Sequence, residues 1–145
     1  MPMPTIKDIM TKEVVTIEPN KSVFDAAELM TLKGLGCVLV VIKGFPIGII
    51  TERDIVRRIV AKRASPDVRV TEIMTKTLIT VGPDTSLKAA ARLMSANKIR
   101  RLPVLKNNKL AGIVVSSDFV RNVGKKTTTE EILDALGRYP TGPVS

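Results

Sequence analysis

The chain has no histidine and no tryptophan, one cysteine, one tyrosine and three phenylalanines in 145 residues. Each shortage removes a class of function. Without imidazole there is no histidine general base and no zinc site of the usual Cys/His kind. One cysteine rules out a disulfide within the chain, so a reducing compartment and a cytoplasmic location are the expectation. With aromatic residues at 3% the core must be aliphatic. The same scarcity leaves few rings on which nucleic-acid bases can stack. The longest apolar run, residues 35–42, is far short of the roughly 20 residues that span a bilayer. Met1-Pro2-Met3-Pro4 carries no basic-then-apolar signal pattern, and no membrane association is expected. There is no Gly-x-Ser-x-Gly, no phosphate-binding P-loop and no metal-ligand cluster, so the chain does not read as an enzyme and no cofactor or metal is expected. Cys37 opens an apolar strand and reads as a small hydrophobe rather than a nucleophile.

What is present is a repeat. Residues 6–58 shifted by 64 positions fall on 70–122 without a gap. Ile9-Met10-Thr11-Lys12 returns as Ile73-Met74-Thr75-Lys76, Ala26-Ala27 as Ala90-Ala91, Gly48-Ile49 as Gly112-Ile113, and Asp54 as Asp118. Such self-similarity implies two alike subunits about a pseudo-two-fold axis, with equivalent clefts between them. Each copy is too short to be stable alone, so the pair is expected to fold together.

Each copy reads β-α-β-β-α, an α/β (α+β) pattern. In the first, strand 14–17 is stopped by Pro19. Ser22 caps a helix over Val23–Lys33 that ends at Gly34, and Cys37–Ile42 is a buried strand. A turn at 43–46, strand 47–51 and helix 53–63 follow. The second copy gives strand 78–81, helix Leu87–Asn97, strand 102–106, a turn at Asn107-Asn108, strand 110–115 and helix 118–123. A short helical turn precedes each first strand, at 6–10 and 70–74. The repeats span 6–63 and 70–123, joined by linker 64–69, whose Ser65-Pro66-Asp67 is a turn signal. Tail 124–145 has a capping box at 127–130 and an apolar stripe of Ile132, Leu133 and Leu136, a short helix ending at Gly137. Met10, Met30, Met74 and Met94 sit at repeat-equivalent places and read as core filler.

The segment with chemistry is Gly48-Ile49-Ile50-Thr51-Glu52-Arg53-Asp54. A strand running into a helix leaves backbone N–H groups at the helix start, where the dipole also favours phosphate. Thr51 adds a hydroxyl, and Asp54 has the acceptors for both hydroxyls of a ribose. Gly48 allows another backbone, or a flat base, to come close. The same Thr-x-x-Asp spacing is also a helix cap with a local role. In the second copy Val115 replaces the hydroxyl, with Ser116 and Ser117 nearby, ahead of Asp118.

Asp-Ile-Met-Thr, Val-Thr-Ile-x-Pro, Ala-Ala-x-x-Met, Leu-Pro-Val and Gly-Ile-Ile-Thr-x-Arg-Asp, in that order along the repeat, resemble the cystathionine-β-synthase (CBS) domain. The tandem resembles a CBS pair, or Bateman module, of the stand-alone prokaryotic kind. The resemblance covers residues 6–123. It implies a regulatory module that binds adenosine-containing ligands such as AMP, ADP, ATP or S-adenosylmethionine in clefts between the repeats, dimerises, and acts on a regulated protein. By position it assigns the ribose carboxylate to Asp54 and Asp118, the hydroxyl to Thr51, and the basic phosphate-contacting stretch before Pro103-Val104 to Arg100 and Arg101. Gly36 and Cys37 hold the corresponding places in the first copy, where they leave room but supply no charge. Thr16 and Thr80 match positions that approach the ligand, and Arg53 and Ser116 complete the set beside the two aspartates. The two clefts are therefore expected to be unequal, with one adenine nucleotide per chain at Thr51 and Asp54.

The net charge of +9 fits an anionic ligand, and it opens a second reading as a nucleic-acid-binding protein. No acidic residue lies between Asp84 and Asp118, while Lys88, Arg92, Lys98, Arg100, Arg101, Lys106 and Lys109 do. Arg53, Arg57, Arg58, Lys62 and Arg63 form a second basic helix. No helix-turn-helix, zinc-finger or RNA-recognition signature accompanies them.

Overall fold

A computed structural model describes residues 3–121. The described chain divides into two compact units: residues 14–78, and a split unit made of 3–13 with 79–121. The tail helix expected near residue 130 lies outside the described residues.

In the 14–78 unit, β1 (Thr16–Ile17) runs parallel to β2 (Cys37–Ile42), which pairs antiparallel with β3 (Phe45–Thr51). Helix α1 (Val23–Lys33) starts where expected: the Ser22 hydroxyl accepts the Asp25 N–H at 3.0 Å, and Asp25 Oδ2 accepts the Ser22 N–H at 3.1 Å. It ends at Gly34, left-handed at φ 67°, whose open conformation carries no steric penalty for glycine. The β2–β3 hairpin turns on Lys43 and Gly44, both with positive φ, the conformation that matches strand twist. The turn is shorter than the 43–46 expectation, because Phe45 and Pro46 already belong to β3. Pro46 is tolerated there because the register shifts beside it, between Val40 and Val41.

The expected helix 53–63 is α2 (Glu52–Ile55) followed by a π-helical turn over Val56–Val60. The Ala61 N–H reaches the Val56 carbonyl at 2.8 Å, and the Ala64 N–H the Ile59 carbonyl at 2.9 Å, five residues back in each case. Ile55, Val56, Ile59 and Val60 are all β-branched, which weakens the α-helical preference at this point. Ile17, Val23, Ala26, Met30, Val38, Val40, Ile50 and Ile59 form the core, closed by Val70, Ile73 and Met74.

The split unit repeats the plan with α3 (Leu87–Asn97), β4 (Arg101–Lys106), β5 (Lys109–Val115) and α4 (Ser116–Arg121). Its hairpin turns on Asn107 and Asn108, both left-handed. Its core is Val81, Leu87, Ala90, Ala91, Met94, Leu102, Val104, Val114 and Phe119, with Ile6 and Ile9. The expected strand 78–81 is reduced to a single bridge between Val81 and Val104. The cause is one residue. In the first copy the Leu39 N–H donates to the Val15 carbonyl at 3.3 Å. The equivalent residue, Pro103, has no N–H to give.

The opening segment of each copy packs on the other copy's elements. Ile6 and Lys7 donate to the Thr85 and Pro83 carbonyls, each at 2.9 Å, and Thr11 pairs with Ile113. In the same way the Val70 N–H donates to the Lys21 carbonyl at 2.9 Å, and Thr75 pairs with Ile49. The short turns expected at 6–10 and 70–74 are 3-10 turns over Ile6–Asp8 and Val70–Glu72.

Candidate functional site

The junction of β3 and α2 carries the chemistry of the 14–78 unit. Extended backbone at Thr51 places its hydroxyl over the first turn, where it accepts the Asp54 N–H at 3.2 Å. Asp54 Oδ2 answers by accepting the Thr51 N–H at 3.0 Å and the Thr51 Oγ1 proton at 3.1 Å. The Asp54 side chain is 12% exposed. Its other oxygen, Oδ1, faces the Arg58 guanidinium with Nε at 3.9 Å. A carboxylate has about four acceptor positions, so Oδ1 retains room for hydroxyl donors.

The amides expected to be open at this helix start are used within the chain. The Glu52 N–H donates to the Gly36 carbonyl at 3.0 Å, and the Asp54 N–H is held by Thr51. Two of the donors that would face a phosphate are therefore already bound. The close approach expected at Gly48 is likewise filled from within. A methyl group on Gly48 would lie 2.3 Å from Met74 Sδ and 3.1 Å from the Thr75 carbonyl oxygen. The backbone that glycine admits is the Ile73-Met74-Thr75 segment, not a base.

The split unit builds the same junction with different groups. Asp118, 1% exposed, accepts the Val115 N–H through Oδ2 at 2.7 Å and pairs with Arg121 through Oδ1. The Ser116 N–H donates to the Arg100 carbonyl at 2.9 Å, just as Glu52 does to Gly36. Val115 has no hydroxyl, so the reciprocal half of the Thr51–Asp54 arrangement has no counterpart.

The sequence-selected residues fall into two sets. Thr16, Gly36, Cys37, Thr51, Arg53 and Asp54 belong to the 14–78 unit; Thr80, Arg100, Arg101, Pro103, Ser116 and Asp118 belong to the split unit. Cys37 is the strand partner of Thr51, and Arg101 is the partner of Val115. Gly36 and Cys37 thus flank Asp54's junction, while Arg100 and Arg101 flank Asp118's. Thr16 is exposed on β1, and Pro103 is buried in β4 opposite Ile113. One participant escaped the motif reading. Arg58 faces Asp54 and also donates from Nη1 to the Ile73 carbonyl at 2.7 Å. The signal was there as an Asp-Arg pair four residues apart on a helix.

Among the described residues no group of His, Cys, Asp or Glu is arranged to hold a metal ion, and no helix is long and apolar enough to cross a membrane.

Comparison with known proteins agrees with this geometry. The CBS domain family matches twice, over residues 6–61 and 70–125. The CBS domain-containing protein YhcV of Bacillus subtilis is 38% identical over 120 residues, covering 83% of this chain and 86% of its own. A signal-transduction protein with CBS domains from Burkholderia ambifaria superposes with a TM-score of 0.77 at 35% identity, over 85% of this chain and 96% of that one. The CBS domain pair of protein MJ0100, solved with 5′-methylthioadenosine and S-adenosyl-L-methionine, gives a TM-score of 0.77 at 31% identity, over 87% of this chain and all of that one. With two matched copies and relatives alike over most of their length, the chain belongs to the CBS domain family, as a tandem pair.

Proposed function

We propose that this CBS pair is a regulatory module that binds one adenosine-containing molecule per chain and passes its occupancy to a partner protein. The observation that carries the reading is the Thr51–Asp54 pair, with Asp54 buried and Thr51 half-buried. Asp54 Oδ2 is committed to Thr51, while Oδ1 points to a long 3.9 Å contact that a ribose hydroxyl can improve upon. The related pair that binds methylthioadenosine and S-adenosylmethionine supports the adenosyl class. With the α2 amides engaged at Glu52 and Asp54, phosphate recognition rests on side chains rather than on the helix start.

A homodimer fits the apolar surface of the 14–78 unit, where Phe24, Leu32, Val56 and Val60 are 51–79% exposed. Such side chains on helices favour a protein partner over water. Among the structural neighbours a CBS-CP12 protein is hexameric, which supports self-association as a property to test here.

Calorimetry on the intact chain and on Asp54→Ala is the test, with AMP, ATP and S-adenosylmethionine as titrants. Hydrogen bonds to a charged group contribute about 1.5–3 kcal/mol, so a loss of roughly tenfold or more in affinity is expected. Equal affinity in both proteins for every titrant overturns the reading.

A further inference from the structure

At the hairpin end of the 14–78 unit lies an open groove of about 610 Å³, lined by Glu18, Pro19, Asn20, Val41, Ile42, Lys43, Arg69 and Thr71. It is separate from the Thr51–Asp54 junction. Strand β2 runs from Cys37, the strand partner of Thr51, to Ile42 at the groove. Six residues at about 3.3 Å each set the two ends of a strand more than 15 Å apart.

The repeat explains why the groove exists. Thr71 and Asn20 occupy the positions that Lys7 and Asp84 hold in the split unit. There the ammonium of Lys7 meets Asp84 Oδ1 at 2.9 Å, tying the 3-10 turn to the loop after Pro83. Threonine is too short to reach across as lysine does, and neither it nor asparagine carries the charge of that tie. Two other neutral residues of the split unit become cations here: Thr5 corresponds to Arg69, and Asn107 to Lys43. An ion pair has been removed and two positive charges have been placed around the gap. Glu18 is the one carboxylate on the lining, so the surplus is positive.

We propose that this groove binds a small organic acid. Its carboxylate sits between Lys43 and Arg69, and its hydrocarbon part lies on Pro19, Val41 and Ile42. The Asn20 carboxamide and Thr71 hydroxyl complete the polar rim. The volume falls in the range of small-molecule sites, about 300–1,000 Å³. Lysine at the tip of the hairpin and arginine before the 3-10 turn come from two separate segments that both line the groove, an arrangement suited to one anionic head.

The experiment uses the full chain, titrated with hexanoate, inorganic phosphate and chloride at matched ionic strength and followed by backbone amide shifts. Hexanoate is expected to saturate with shifts confined to residues 18–20, 41–43 and 69–71. The Lys43→Ala/Arg69→Ala protein should bind it at least tenfold more weakly, and Asp54→Ala should bind it unchanged. A second variant, Asn20→Asp/Thr71→Lys, rebuilds the ion pair across the groove and should abolish saturation while leaving the spectrum folded. Saturation by hexanoate in that rebuilt protein overturns the proposal, as does a response no stronger than that to chloride. A response to phosphate equal to that to hexanoate overturns the apolar part of the site. None of these outcomes depends on whether adenosyl ligands bind at Thr51 and Asp54.

Discussion

Gly112 and Met10 sit closer together than any side chain would allow. A Cβ on Gly112 would lie 2.8 Å from Met10 Sδ and 2.8 Å from the Thr11 carbonyl oxygen. Glycine is needed here for close packing, since the docked segment is main chain on one side and thioether on the other. Gly48 stands in the same relation to Met74, but its closest backbone atom is farther, the Thr75 carbonyl oxygen at 3.1 Å. A methionine tip can swing away, whereas a carbonyl locked in a paired segment cannot. Gly112→Ala should therefore destabilise more than Gly48→Ala, within the roughly 1–3 kcal/mol typical of overpacking. Urea denaturation of both variants checks the order, and equal midpoints would contradict it.

The division at 13/14 and 78/79 makes a prediction about fragments. A peptide of residues 14–78 contains every buried side chain of its core, including Val70, Ile73 and Met74. A peptide of residues 6–63, one complete sequence repeat, lacks those three. Each fully buried aliphatic side chain contributes about 1.5–3 kcal/mol, and a core this small has only about 3–5 kcal/mol in total. Residues 14–78 should show a cooperative thermal transition by circular dichroism, and residues 6–63 should not.

The two helix junctions differ by one hydroxyl. Thr51→Val removes the group that accepts the Asp54 N–H and donates to Asp54 Oδ2. Loss of such a cap costs about 1 kcal/mol. The reverse change, Val115→Thr, adds the hydroxyl that the Thr51 junction has and the Val115 junction does not, and should stabilise by up to about 1 kcal/mol. Thermal melts of the two single variants should move in opposite directions.

Acid titration offers a further check. The Ser22 N–H and hydroxyl hold the Asp25 carboxyl below the usual carboxylate range. The folded value lies below the unfolded one, so the contribution is present in full above the unfolded value of about 3.9. It disappears as pH falls through the lower, folded value. The hydrogen bond and charge of Lys7 act on Asp84 in the same sense. Melting temperature should fall between about pH 5 and pH 2, and Asp25→Asn should flatten that slope. An identical slope in the variant would contradict the assignment.

Much of the fold was legible because both copies obey local rules. Ser22 and Gly34 bracket α1 where capping chemistry puts them, and the valine-rich Cys37–Ile42 is a strand over its full length. What escaped the sequence depended on partners far along the chain. Strand 78–81 is as apolar as its counterpart, with threonine at the same place, but its ladder depends on an N–H that Pro103 does not have. The π-helical turn after Ile55 leaves no mark in apolar spacing, which looks helical either way. At the candidate site the residue types were readable from Thr51-x-x-Asp54, whereas the occupation of the Glu52 amide by the Gly36 carbonyl was not. That bond joins residues sixteen apart in sequence, beyond the reach of any local pattern. Gly48 was read as admitting another backbone or a flat base; it admits the backbone of 73–75 with the Met74 side chain, a choice no local pattern could make because that docking is non-local.

The crossing over of the opening segments bears on how such a gene can change. Deleting residues 70–123 would strip Val70, Ile73 and Met74 from the body that the first copy builds, and deleting 6–69 would strip Ile6 and Ile9 from the other. Neither duplicate is a spare. Selection acts on the two as one heritable unit, so each can drift in surface and ligand chemistry, as Thr51 and Val115 have, while the pieces they lend each other stay fixed as Ile-Met-Thr-Lys.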